Sequence, residues 1–325
     1  MTEQSPAIGR VTAAIATVAT MLPYLTLKIL WLTGSSLGVT DPGLMNDPAM
    51  AGLNVMTFGM DAVGLLLVVA FTTRWGLRLP AWLVLLPMWV GTGLLSVVVV
   101  TAPIMVTAGG IAVFSGGPIE PWVYMMVYGG FVGQGMGLMA TFVLYARDRW
   151  PGVSGPGHAI AGPARQFQTA VAWGSLLVVT LVAGVRLSWT FGAPVGAVVM
   201  DGFKALLALA GAVAFVAVVR ERGKGSFWRL AVPVWLGSGS LFGWGLYAMI
   251  VRSVGGPLAV GGAAATDLVE LFGMLAGLVM GMSGAYVLAE RSGVRSRMGD
   301  VQPLEQPLEG DDRDGDRQAA YHGHR

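Results

Sequence analysis

The chain has 325 residues, of which 54% are hydrophobic and only 12% charged, and its mean hydropathy is +0.67. A water-soluble core cannot bury that much apolar surface, so the bilayer is the expected solvent. The absence of cysteine excludes disulfides, thiolate metal sites, iron–sulfur clusters and cysteine nucleophiles, and a pI near 9.0 carried by basic residues at helix ends is a membrane-insertion signal, with no nucleic-acid partner implied.

The segment before the first apolar run carries only Glu3 and Arg10 as charges and lacks a small-residue cleavage site followed by a soluble domain. The first helix is therefore expected to stay as an anchor. Apolar stretches of about 20 residues, long enough to span, run over 11–32, 55–72, 81–102, 122–145, 169–185, 202–219, 230–251 and 268–289. They predict an all-α integral membrane protein of eight transmembrane helices.

Within the first connection, Asp41-Pro42 and Asn46-Asp47-Pro48 predict turns; a lid or gate is the functional reading of that loop. Between the fourth and fifth spans, repeated Gly and Pro from Pro151 through Pro163 predict an irregular linker. After Arg297 the chain turns polar, repeats Gln302-Pro303-Leu304-Glu305 in tandem and adds Asp311, Asp312, Asp314 and Asp316, which predicts a disordered tail with docking as the rival reading.

A duplication organises the spans. Lys28, Trp31, Gly34 and Gly38 return as Arg186, Trp189, Gly192 and Gly196. Arg74, Trp82, Pro87, Trp89, Gly91 and Gly93 return as Arg220, Trp228, Pro233, Trp235, Gly237 and Gly239. Gly129, Gly133, Met136, Gly137 and Arg147 return as Gly273, Gly277, Met280, Gly281 and Arg291. Tryptophan is scarce, at 11 residues, so three pairs in register are a poor match to chance. The offset between copies changes within 39–54, where the first copy carries an insertion.

Basic residues such as Arg10, Arg74, Arg78, Arg147, Arg149, Arg165, Arg220 and Arg291 fall on one side of the predicted spans, and the opposite loops hold Asp41, Asp47, Glu120 and Asp267. The positive-inside rule then places both termini in the cytoplasm. Copies with an even number of helices enter from the same side, as parallel repeats about a pseudo-twofold axis along the membrane normal. The expected organisation is a first four-helix repeat over 1–148, a cytoplasmic linker over 149–167, a second repeat over 168–292 and a tail over 293–325. A strong preference for Arg over Lys suggests a GC-rich genome and a bacterial plasma membrane.

Several patterns admit a structural and a functional reading. The Gly129-Gly133-Gly137 and Gly273-Gly277-Gly281 faces are packing surfaces that let backbones approach, with contact between the two faces across the axis as one arrangement. Pro87, Gly91 and Gly93, and their partners Pro233, Gly237 and Gly239, are expected bends or hinges, since proline deletes a backbone donor and matched helix breaks point to transporter sites. Lys28 and Arg186 break the charge trend at equivalent positions. They either snorkel to the outer headgroups or line a polar vestibule. Asp61 lies about 20 Å from the basic end of its helix, a depth at which a charge faces protein or water. Trp31 and Trp189 belong to an aromatic belt or stack on a ligand.

Ligand-binding residues are therefore expected to be Lys28, Arg186, Asp61, Trp31 and Trp189. His158, His322 and His324 all lie in the linker or tail, so neither haem nor a membrane metal site is expected, and no cofactor is implied. No catalytic constellation is evident either. The first expectation is a permease-like transporter or binder of a small anionic, zwitterionic or lipid-like solute, with membrane lipid around it. The alternative is a non-catalytic sensor or accessory subunit whose charges only pair. A membrane enzyme ranks third, with Asp61, Asp201 and Glu270 as its only intramembrane carboxylates of use.

Overall fold

A computed structural model describes residues 8–150, 165–220, 228–255 and 264–299, with side chains through residue 289. Eight helices in it are long and apolar enough to cross a membrane: α1 (Ile8–Leu32), α2 (Pro48–Thr72), α3 (Ala81–Gly109), α4 (Pro121–Arg149), α5 (Arg165–Trp189), α6 (Val195–Val219), α7 (Trp228–Val254) and α8 (Ala264–Gly299). The described residues are helical or irregular, with one isolated bridge between Val39 and Ile119. Helices suit these sequences because hydrocarbon offers no partner for a backbone N–H or C=O, and an α-helix satisfies both internally. Leu22, Leu66, Leu86, Val143, Leu177 and Leu206 point outward and exposed, as a lipid-facing surface requires. All eight expected spans fall inside these helices, which makes the chain a multi-pass, all-helical membrane protein by length and composition. Arg149 and residues 165–167 extend α4 and α5 into the expected linker, and α8 takes in the first residues expected in the tail. The rest of the linker and tail lies outside the described residues.

The two largest apolar clusters among the described residues lie one in each half. Leu67, Val68 and Phe71 of α2 meet Val84 and Met88 of α3 and Leu138 and Tyr145 of α4. In the second half, Val179 of α5, Ala212 and Phe215 of α6, Val234 of α7 and Met280 of α8 pack together. In the first half α1 lies against α4 and α2, and in the second α5 lies against α6 and α8, while α3 and α7 pack together between the halves.

The α3–α7 crossing is made close by glycine. A side chain on Gly93 would run into the backbone of Gly239 and Ser240, and one on Gly239 into Trp89. Around this point the two helices exchange hydrogen bonds in both directions: the Trp89 indole N–H donates to Ser238 Oγ at 3.0 Å, and that of Trp235 to Thr92 Oγ1 at 2.9 Å. Phe242 stacks on Trp89 and Phe142 on Trp235. The segments expected to bend stay helical throughout, with Pro87 inside α3 and Pro233 inside α7. Gly237 meets Gly211 of α6, so three of the four glycines there serve close packing, and Gly91 faces open space.

The glycine faces of α4 and α8 do not meet each other. Gly133 and Gly137 lie under Thr20 and Thr17 of α1, and Gly277 and Gly281 lie under α7 and the Trp89 ring. Small residues went to the nearest helix within reach, which sequence spacing does not specify.

The ends of the first half are latched. At one end Arg10 pairs with Asp148 at 2.7 Å, joining the start of α1 to the end of α4. There too the Tyr145 hydroxyl and Arg149 both donate to the Gly76 carbonyl, at 2.8 and 3.0 Å, and Arg149 also reaches Tyr145 and the Leu79 carbonyl. They add side-chain donors to carbonyls of the α2–α3 turn. At the other end the loop 33–47 is bound to the α3–α4 connection, with Thr40 donating to the Pro118 carbonyl and Glu120 to that of Gly38. Asp41 and Asp47 accept from Gly43 and from Ala49 in that loop, so both act as caps, and Asp47 opens α2.

Candidate functional site

Lys28 and Asp61 come together inside the first half. Lys28 lies four residues before the last residue of α1, on the face toward α2, with no exposed surface, and its Nζ donates to Asp61 Oδ2 at 2.8 Å. The ammonium also sits 4.0 Å from the Tyr24 ring centroid, and Gln134 of α4 approaches the other carboxylate oxygen at 3.4 Å. A buried ion pair persists only when both charges are compensated, and here helices α1, α2 and α4 all contribute. Trp31, one turn on, is buried and donates to the Leu37 carbonyl at 2.9 Å, so the loop 33–47 roofs this end; Leu44 of that loop is buried as well. Lys28 thus neither snorkels nor faces a cavity.

Arg186 is built differently. Its Nη2 donates to Glu270 Oε2 of α8 at 2.6 Å and its Nη1 lies 3.7 Å from Asp201 Oδ1 of α6, whose other cation is Lys204 at 3.3 Å. Lys204 Nζ also lies 4.5 Å from the Trp244 ring centroid of α7. The cation is therefore held from α5 while its counter-charges come from two other helices. Asp201 sits at the rim with a side chain 37% exposed, against 7% for Arg186.

A small cavity of about 10 Å³ opens in this cluster between α5, α6 and α7, lined by Arg186, Lys204, Ala208, Ser240, Leu241 and Trp244 among others. That is room for roughly one water-sized group. Two of its lining donors, Arg186 Nε and Trp244 Nε1, are buried without a hydrogen-bond partner. Buried donors are nearly always paired, so two orphans at one cavity mark a place for an acceptor. Chemically the cavity offers hydrogen-bond donors and positive charge, and the described residues hold no group of metal-ligating side chains.

The five expected ligand residues do not form one site. Lys28, Asp61 and Trp31 lie together in the first half, Arg186 lies in the second, and Trp189 is exposed on the surface one turn beyond it. Gln134, Ser240 and Trp244 were not anticipated. A lone Gln within an apolar helix, and a Trp four residues after Ser240, are the only signals the sequence offered for them. Comparison with family models, curated proteins and solved structures gives no match.

Proposed function

We propose that this is a plasma-membrane protein of two parallel four-helix repeats, both termini cytoplasmic, that binds and moves a small solute through the second repeat. The unpaired Arg186 and Trp244 donors at the α5–α6–α7 cavity carry the reading, because two such donors at one cavity provide a point of recognition. The repeat itself is supported by the exchange of hydrogen bonds at α3–α7, since Trp89 and Trp235, and Thr92 and Ser238, stand at equal sequence offsets. The orientation rests on the positive-inside rule. The lining suits a solute with an anionic or strongly accepting group, and catalysis forms no part of this reading.

In this reading Lys28 and Asp61 are a structural pair, and Arg186 with Lys204 recognises the solute. A second reading, a non-catalytic sensor or accessory subunit, is favoured by the closure of Lys28 against Asp61. The two are separated by reconstituting the purified protein in vesicles and measuring uptake from a panel of small carboxylates, phosphates and zwitterions. Protein-dependent uptake that Trp244→Phe diminishes supports transport. Solute-dependent stabilisation without uptake supports the sensor.

A further inference from the structure

The second half holds a cavity where the first half holds its own carboxylate. Helices α2 and α6 begin and end at one constant offset, Pro48 with Val195 and Thr72 with Val219. The same offset superposes their buried faces: Gly64 on Gly211, Leu67 on Ala214, Val68 on Phe215 and Phe71 on Val218 are all buried. It carries Asp61 onto Ala208 and Thr57 onto Lys204. Ala208 lines the cavity beside Arg186, the counterpart of Lys28.

Three differences between the halves point the same way. The carboxylate that answers Lys28 in the first half is replaced by a methyl group facing Arg186 in the second. Donors are left over there, namely Arg186 Nε and Trp244 Nε1. The roofing loop 33–47, with its buried Leu44, has only the short connection 190–194 as its counterpart, and Trp189 and Phe191 beside it are exposed.

We infer that the α5–α6–α7 cavity is a site for the carboxylate group of a small organic acid, which takes the place that Asp61 fills in the first half. This rests on the solute-binding reading above and names its chemistry. The entering carboxylate accepts from Arg186 Nε and Trp244 Nε1 and displaces Asp201 from Lys204. Asp201, at the rim, is free to turn toward water, so the cluster of two cations and two carboxylates keeps its internal balance. The cavity has room for one carboxylate oxygen, and the rest of the acid lies toward the rim, in the space that Asp201 vacates.

The test uses the full chain in detergent, its thermal unfolding followed with acetate, and with acetamide as a neutral control of similar size. Acetate is expected to raise the midpoint in a saturable way and acetamide to leave it unchanged. Trp244→Phe keeps the ring over Lys204 and removes one donor, and is expected to weaken acetate binding about tenfold. Ala208→Asp supplies the missing carboxylate internally and is expected to abolish the acetate response while unfolding no earlier than the parent; Leu207→Asp, one position round the helix, is expected to unfold early. If Ala208→Asp does not fold, the Trp244→Phe titration decides alone. Equal stabilisation by acetate and acetamide, or an acetate response unchanged in Trp244→Phe, would overturn the assignment and leave a cavity for water only. Vesicle uptake of another solute without any acetate response would refute the carboxylate assignment and leave transport standing. An acetate response without uptake would do the reverse.

Discussion

Lys28 near the end of α1 and Arg186 near the end of α5 choose different counter-charges: Lys28 pairs with Asp61 on α2, and Arg186 with Glu270 on α8. The Lys28 pair is therefore closed, whereas Arg186 is left with a spare donor, its Nε.

That closure predicts how the first half responds to damage. Asp61→Asn leaves a buried ammonium without its counter-ion, and removing one partner of a buried pair costs about 3–5 kcal/mol. A double change, Lys28→Met with Asp61→Leu, removes both charges and is expected to recover most of that loss. Unfolding in detergent, followed by circular dichroism, measures both.

The α3–α7 contact predicts a steep dependence on side-chain size. Gly239→Val drives a side chain into Trp89 and is expected to separate the halves or prevent folding, whereas Gly91→Val, which faces open space, is expected to change little. Each of Trp89→Phe and Trp235→Phe removes one hydrogen bond, worth about 1 kcal/mol. Comparing elution profiles and melting of the four variants checks this.

At the other end of the first half, Tyr145→Phe removes a donor to Gly76 and leaves Arg149 to serve that carbonyl, so a loss of about 1 kcal/mol is expected. Gly76→Ala is expected to be far worse, because its new methyl would overlap the Ala70 carbonyl. Protease sensitivity of the α2–α3 turn reads both effects directly.

The orientation is open to a direct check, since the chain has no cysteine of its own. Ser36→Cys in the loop 33–47 is expected to react with an impermeant maleimide on intact cells, and Leu77→Cys in the α2–α3 turn only after lysis. The reverse pattern would invert the topology.

Much of the fold could be read from the chain because spanning length is a local property: an apolar run of about 20 residues is visible wherever it occurs. The depth of Asp61 announced that it needed a partner. Which partner depends on how α1 and α2 are rotated about their axes, and no local pattern encodes that. Glu270 and Lys204 were visible as charges, but their convergence on Arg186 needs three helices to be placed first. The Trp-x-x-Thr and Trp-x-x-Ser patterns at Trp89 and Trp235 carried a signal of the exchanged hydrogen bonds, hidden because tryptophan in a span reads first as an interface residue. The glycine faces were legible as packing surfaces and silent on their partners, since any helix can use them.

The measurement that bears most directly on the asymmetry between the halves compares acetate-dependent stabilisation in two variants. One is Lys28→Met with Asp61→Leu, which empties the first half of its pair; the other is Trp244→Phe, which removes a donor from the second. The first is expected to respond to acetate as the parent does, and the second to respond about tenfold more weakly. A response lost in the first variant and intact in the second would place recognition in the wrong half and contradict the assignment of Arg186, Lys204 and Trp244 as the solute site.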